Sequence, residues 1–281
     1  MLTLLEIIKK TTEFFDKRGV ESARLNAELL VGHALGLQRM QLYIQFERPL
    51  TEPELEKIRP LVKRRGNREP LQHIVGTTEF AGLTLKVDRR ALIPRPETEY
   101  LVELLLRHFP KSPLRVLDLG TGTGAIALAL AKAWPDAKCV AVDSSEEALA
   151  LALENATSTN LLESVKLLRS DWFDSLPLQD RFDLIVSNPP YLSDEETDAA
   201  QPEVKTFEPR SALSAGPDSA VALEQIIRGA KERLTPNGRL ALETGIAQHQ
   251  RLLAMLQSQG YRECESLRDL TGRDRYLLAT L

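Results

Sequence analysis

The chain has 281 residues, of which 43% are hydrophobic and 27% charged, so it carries enough apolar side chains to build a core and is not a disordered chain. Its formal net charge of −4 gives no overall attraction to phosphate backbones, and no run approaches the roughly 20 apolar residues that span a bilayer. Its two cysteines, Cys139 and Cys264, are too few for a disulfide framework and lack metal-ligand spacing, which reads as a reduced cytoplasmic protein without a metal.

In chain order, MLTLLEIIKKTTEFFDKRG places Leu4, Leu5, Ile8, Phe14 and Phe15 at helical spacing among charges, an amphipathic helix rather than a signal peptide. ESARLNAELLVGHALG repeats apolar residues at helical steps, with Gly36 placed to end the helix. Thr51 and Pro53 suit the start of a further helix that runs through ELEKIRPLVKRRG. The basic residues closing it, with Arg68, read as a solvated helix end rather than a nucleic-acid patch. These elements predict a small helical domain over residues 1–74. TTEFAGLTLKVDRR alternates around a glycine and predicts a β-hairpin, placing a linker over 75–94. In ALIPRPETEYLVELLLRHF two prolines precede a new amphipathic helix, so a second domain is expected over 95–281.

From Leu114 onward strand and helix alternate: LRVLDLG, GAIALALAKAW, KCVAVD, SSEEALALALENA, VKLLRSDW, FDLIVSNPPY, SAVALEQIIRGAKERL and GRLALETG. Two closing strands, YRECESLRDL and RYLLATL, flank a glycine-containing turn. Alternation at this pitch predicts an α/β fold, a parallel sheet with helices on both faces.

Three strand ends hold the candidate chemistry. In LDLGTGTGA, Gly120, Thr121, Gly122, Thr123 and Gly124 lead from a strand into a helix, where backbone without Cβ atoms approaches a ligand closely and helix amides hold an anionic group. Gly120, Gly122 and Ala125 also satisfy G-x-G-x-x-A with Asp143 following, so the residues favour a nucleotide-type cofactor over a plain tight turn without saying which. Asp143 suits ribose hydroxyls, or alternatively an N-cap for the helix near Ser144. Asp171 suits an adenine amine and Trp172 the ring face, with plain core an equal reading for the tryptophan. Asn188-Pro189-Pro190-Tyr191 is the sharpest signal. The prolines donate no backbone hydrogen bonds, so nearby carbonyls are free to accept, and Asn188 adds a side-chain carbonyl beside an aromatic ring. Such acceptors suit a planar NH2 group.

LDLGTGTG, the acidic end of the second strand and NPPY together resemble an S-adenosyl-L-methionine (AdoMet)-dependent methyltransferase acting on a planar amine or amide nitrogen, which implies a Rossmann-like sheet. SARLNAELL, PLQHIVGTTEFAGL, LIPRPETE, EPRSAL and DLTGRDR, in this order and spacing, resemble the HemK-type release-factor glutamine methyltransferases over nearly the whole chain. His73 stands where a tyrosine is expected, and Ser219-Ala220 where Gly-Leu is usual. The resemblance implies methylation of the glutamine amide in the Gly-Gly-Gln motif of class I peptide release factors, with S-adenosyl-L-homocysteine as product. It implies AdoMet binding by Gly120 through Gly124, Asp143, Asp171 and Trp172, with Asn188 beside the methyl donor. Asn188, Pro189, Pro190 and Tyr191 form the glutamine pocket, and Asn188, Pro189 and Tyr191 are the catalytic set. LIPRPETE is expected to line the methionine end, without separate roles for Arg95, Glu97 and Thr98. The helical N-terminal domain is expected to recognise the release factor.

The nearest rival is a nucleic-acid amine methyltransferase, which NPPY permits and the acidic charge disfavours. An NAD-dependent oxidoreductase explains the glycines and Asp143 but leaves NPPY without a role. A non-catalytic binder has no use for an amine-presenting pocket.

Overall fold

Thr3 opens the first helix, α1 (Leu4–Lys17), with a capping box: its hydroxyl accepts the Glu6 N–H while the Glu6 carboxylate accepts its own. The computed structural model describes residues 2–109 and 111–281. α2 (Ala23–Leu35) stops at Gly36, which takes φ +66°. α3 (Arg39–Ile44) follows, and α4 (Glu52–Gly66) starts at Thr51, where Glu54 repeats the capping box. α5 (Leu71–Val75) ends this run. Leu4, Ile8, Phe15, Leu30, Val31, Leu42 and Leu50 pack into one core.

The hairpin pairs β1 (Thr77–Phe80) with β2 (Leu83–Lys86). Its two-residue turn, Ala81-Gly82, has both φ angles positive, at +49° and +69°, the twist that matches antiparallel strands. α6 (Pro96–His108) then begins with proline at its first position, where a missing N–H costs nothing. The alternation runs β3 (Arg115–Leu119), α7 (Ala125–Ala133), β4 (Lys138–Asp143), α8 (Glu146–Ser158), β5 (Val165–Arg169) and β6 (Phe182–Ser187). Two short helices follow, α9 (Asp194–Ala199) and α10 (Pro202–Phe207), then α11 (Val221–Lys231), β7 (Leu234–Glu243), α12 (His249–Ser258), β8 (Arg262–Arg268) and β9 (Asp274–Thr280).

The chain divides into two compact units. One runs to Gly76 and takes in Gln201–Phe207; the other comprises Thr77–Ala200 and Glu208–Leu281. The hairpin therefore belongs to the second unit. In the first unit the basic residues closing α4, with Arg68, are only in part the solvated helix end expected from sequence: Lys63 and Arg64 are exposed, whereas Arg65 is buried. Arg65 pairs with Glu203 at 2.9 Å, Arg68 with the same carboxylate at 2.6 Å, and Arg64 with Glu69 at 2.7 Å.

In the second unit the strands of the large sheet run in the order β5-β4-β3-β6-β7-β9-β8. The five from β5 to β7 are parallel, but β9 is antiparallel to β7 and to β8, so the sheet is mixed rather than parallel. β9 takes the inner place because Tyr276–Thr280 are buried, whereas most of β8 is exposed, as suits an edge. Alternate residues feed two cores. Val116, Leu184 and Val186 face Leu101, Leu105 and Ile126, while Leu117, Leu119 and Ile185 face Leu223, Ile226 and Leu252. Strand order reverses at β3, which lies between β4 and β6, and the crevice outside such a switch point is where sheets of this kind bind ligands. The third strand of the alternation is shorter than VKLLRSDW. After Arg169 the Ser170 N–H donates to the Asp143 carbonyl and Trp172 takes φ +42°, so Asp171 and Trp172 sit in a turn beyond the strand.

Candidate active site

The loop after β3 is tied to β4 because the N–H groups of Gly120 and Thr121 both donate to the Val142 carbonyl, each at 2.9 Å. Gly120 and Gly122 adopt φ +70° and +56°, conformations that an L side chain resists. They border a cleft of about 260 Å³, whose lining includes Gly120, Thr121, Gly122, Thr123, Asp143, Asp171, Trp172, Asn188 and Pro190. Gly124 has a packing role. It precedes α7 at φ +83°, and a Cβ there would stand 3.1 Å from the Leu128 side chain and 3.3 Å from Ala152.

Asp143 braces the cradle. One carboxylate oxygen accepts the Gly122 N–H and the other the Ser145 N–H, both at 2.9 Å. The cap of α8 is Ser145, whose hydroxyl accepts the Ala148 N–H, so the N-cap role considered for Asp143 falls to the serine. A carboxylate has about four acceptor sites, and those of Asp143 beyond these two bonds remain for a ligand in the cleft. Behind it, Asp118 is fully buried; one oxygen accepts the Thr121 hydroxyl at 2.6 Å, while Oδ1 has no partner among the described residues. Burial, with repulsion from Asp143, pushes its carboxyl up to about 7.

At the end of β6 the Ser187 hydroxyl donates to the Leu119 carbonyl at 2.7 Å, fixing the approach of Asn188. The Asn188 Nδ2 donates to the Thr98 hydroxyl at 2.9 Å, and that hydroxyl donates to Glu243 Oε2 at 2.7 Å. The Tyr191 hydroxyl donates to the other Glu243 oxygen at 3.3 Å, and the Arg275 guanidinium lies 5.8 Å from the Tyr191 ring centre. Glu243 is 1% exposed, and burial pushes it up to about 7 against the hydrogen bond from Thr98 and the charge of Arg275. From the NPPY motif the cleft lining takes Asn188 and Pro190; Pro189 is buried, and Tyr191 packs against Glu243 and Arg275. Gln248 holds this turn by donating to the carbonyls of Tyr191 and Ser219, at 2.7 and 3.0 Å.

The LIPRPETE stretch has separable roles. The Ile93 N–H donates to Glu208 at 3.1 Å and Arg95 pairs with the same buried carboxylate. The Glu97 carbonyl accepts the Tyr276 hydroxyl at 2.7 Å, and Thr98 reaches Asn188. Sequence reasoning missed Glu243, Glu208 and Gln248. Glu243 carried one signal: it is a carboxylate closing the otherwise apolar run LALE at a strand end. Among the described residues no group of three or more metal-ligating side chains occurs, and no helix is long and apolar enough to cross a membrane.

Residues 6–76 match the family described as PrmC N-terminal domain, and residues 110–278 the family described as methyltransferase domain. The chain is 44% identical to a release factor glutamine methyltransferase of Geobacter sulfurreducens over 97% of this chain and 95% of that one. It is 41% identical to one of Rhodopirellula baltica, over 98% and 95% of the two chains. Among solved structures, the human Mettl16 catalytic domain in complex with an RNA hairpin aligns with a TM-score of 0.56 at 18% identity, over 82% of this chain and 80% of that one. A T. thermophilus 16S rRNA N2 G1207 methyltransferase in complex with AdoMet and guanosine aligns at 0.54 with 20% identity, over 73% and 49%. These two likenesses establish the fold.

Proposed function

The chain belongs to the release factor glutamine methyltransferase family, and from that membership we propose that it transfers the methyl group of AdoMet to the glutamine amide nitrogen in the Gly-Gly-Gln motif of class I peptide release factors. One observation carries the assignment to the site: Asn188 borders the glycine cleft with its NH2 engaged by Thr98, which leaves its carbonyl oxygen as an acceptor for a planar NH2 group.

The cleft residues fit AdoMet. The acceptor capacity left on Asp143 suits the two ribose hydroxyls, and the Trp172 ring beside Gly120 suits an adenine face. Asp171, at the rim, suits the adenine amine. The backbone from Gly120 to Thr123 and the LIPRP segment suit the methionine portion, with Gly124 setting the turn behind it. When bound, AdoMet supplies a methyl group on a positively charged sulfur, and S-adenosyl-L-homocysteine is the product.

The protein's task is to hold a poor nucleophile. An amide nitrogen shares its lone pair with its carbonyl, and Asn188 Oδ1 with the Pro189 carbonyl each accept one of its N–H groups. Pro190 and Tyr191 complete the pocket wall. Fixing near-attack geometry supplies several kcal/mol, roughly 7–11 in the best cases. No strong base is required, because the N-methylated amide cation is acidic enough to lose its proton to water.

The first unit, by this reading, recognises the release factor. Leu25 and Leu29 on α2 and Met40 and Ile44 on α3 expose large apolar side chains, Ile44 at 83%. The pairing of Arg65 and Arg68 with Glu203, and of Arg64 with Glu69, offsets much of the basic run that a nucleic-acid substrate would use. A translational substrate and two free cysteines support a cytoplasmic location.

The test is methyl transfer from tritiated AdoMet to a purified class I release factor, beside a copy with the Gly-Gly-Gln glutamine changed to alanine. Unmethylated DNA and ribosomal RNA run in parallel. Label on the first protein alone is expected; label on nucleic acid overturns the reading.

A further inference from the structure

We propose that Glu243 is a positioning residue which, through the Thr98 hydroxyl, holds Asn188 with its carbonyl oxygen rather than its NH2 toward the incoming amide. The inference rests on Asn188 being the group that receives the glutamine. It concerns something the motif itself leaves open. A side-chain amide is nearly symmetric in shape, and rotation by 180° about its last bond exchanges an acceptor for a pair of donors. Facing a glutamine NH2, one orientation binds and the other places donor against donor.

The hydrogen-bond chain removes the choice. An ionised carboxylate only accepts, so Glu243 Oε2 takes the single proton of the Thr98 hydroxyl, at 2.7 Å. That leaves the Thr98 oxygen a lone pair toward Asn188, which only the asparagine NH2 can meet, at 2.9 Å. The Tyr191 hydroxyl donates to the second Glu243 oxygen at 3.3 Å, so both carboxylate oxygens are supplied with donors. All of this lies in a buried setting, with Glu243 at 1% and Thr98 at 5% exposure, where an unmatched polar group is costly. The three residues come from α6, the end of β6 and the end of β7, so the chain is built across elements.

Protonation of Glu243 lifts the constraint. A carboxylic acid can donate to Thr98, the threonine can then donate to the Asn188 oxygen, and the NH2 turns toward the substrate. Four groups around Glu243 set that balance: Arg275 on β9 favours the carboxylate, Glu97 on α6 opposes it, and the Tyr191 and Tyr276 hydroxyls stand nearby. With burial the midpoint lies at about 7, and the working orientation belongs to the side above it.

Two readouts test this on the full chain. The first needs no substrate: with asparagine selectively labelled with 15N, the Asn188 NH2 signal is identified by its loss in Asn188→Ala and followed across neutral pH. A titration that is present in the native chain and absent in Glu243→Gln is expected; an Asn188 signal indifferent to pH overturns the proposal. The second is turnover. In the native chain kcat falls as pH drops through the Glu243 midpoint while AdoMet affinity stays. Glu243→Gln lowers kcat by about tenfold and loses that acid limb. Thr98→Val lowers kcat by at least about tenfold, and Thr98→Ser, which keeps the hydroxyl, restores it. Native kcat and acid limb in Glu243→Gln, or native kcat in Thr98→Val, overturn the proposal. Should Glu243→Gln fail to fold, the threonine pair decides. If the native chain labels no release factor, the functional reading fails, while the Asn188 signal still decides the orientation.

Discussion

Asn188 and Asp118 show how one side chain is given its chemistry by what surrounds it. On the proposed reading Asn188 receives the glutamine amide, so Asn188→Ala is expected to leave AdoMet affinity within a few-fold while lowering kcat by about a hundredfold or more. Calorimetry for binding and initial rates for turnover separate the two, and equal loss of both contradicts this division of labour. Asp118 has a different consequence. Its folded value, about 7, lies above the ordinary carboxylate value near 4, so the folded chain binds that proton more tightly than the unfolded chain. The stability it contributes is complete below about pH 4 and is lost as pH rises through 7. Asp118→Asn keeps an acceptor for Thr121 and Ala127 without a charge to bury. Stability of the variant relative to the native chain, from urea unfolding curves, is therefore expected to improve between about pH 4 and pH 7 and to level off on either side. A pH-independent difference contradicts it. At this scale the sequence was legible where a motif is contiguous. NPPY and GTGTG announce themselves, whereas the bond from Thr98 to Glu243 joins residues 145 positions apart and has no local signature.

Elements were legible where the code is local. The helix start at Thr51, the stop at Gly36 and the turn around Gly82 each rest on two to four neighbouring residues, and each stands where the sequence places it. What failed is what neighbours decide. β5 ends at Arg169 because the backbone turns beyond it, with φ +42° at Trp172, and β9 rather than β8 lies beside β7 because it carries the apolar run. Gly124 joins the two levels, since its sequence reading as a cofactor glycine concealed a packing role between α7 and α8. Adding a Cβ costs roughly 1–2 kcal/mol for the left-handed backbone, and the contacts to Leu128 and Ala152 add to it. Gly124→Ala is expected to cost about 2 kcal/mol in thermal or urea unfolding, and an unchanged midpoint contradicts the assignment.

For the molecule as a whole, composition indicated a globular chain with no general affinity for nucleic acid, and strand–helix alternation indicated the α/β class. Neither hinted that seven residues after the NPPY motif, Gln201–Phe207, belong to the compact unit built from the first 76. The reason is electrostatic. α4 ends in arginines, and Arg65 is buried, with its side chain 6% exposed, so it needs a carboxylate that its own neighbourhood does not supply. Asn26 and the Glu69 carbonyl satisfy part of the guanidinium, and Glu203 brings the charge while holding Arg68 through both its oxygens. Removing one partner of a buried pair is far costlier than never having formed it, typically about 3–5 kcal/mol. Glu203 retains some contact with water, which places the expected cost of Glu203→Ala near the lower end, about 3 kcal/mol. Hydrogen exchange resolves the effect by region. Amides of α4 and of 201–207 should exchange roughly a hundredfold faster in the variant, while those of β3, β4 and β6 keep their native rates. Unchanged protection in α4 would mean that Arg65 draws its support from Asn26 and the backbone alone, and that the returning segment is held there by something other than its charge.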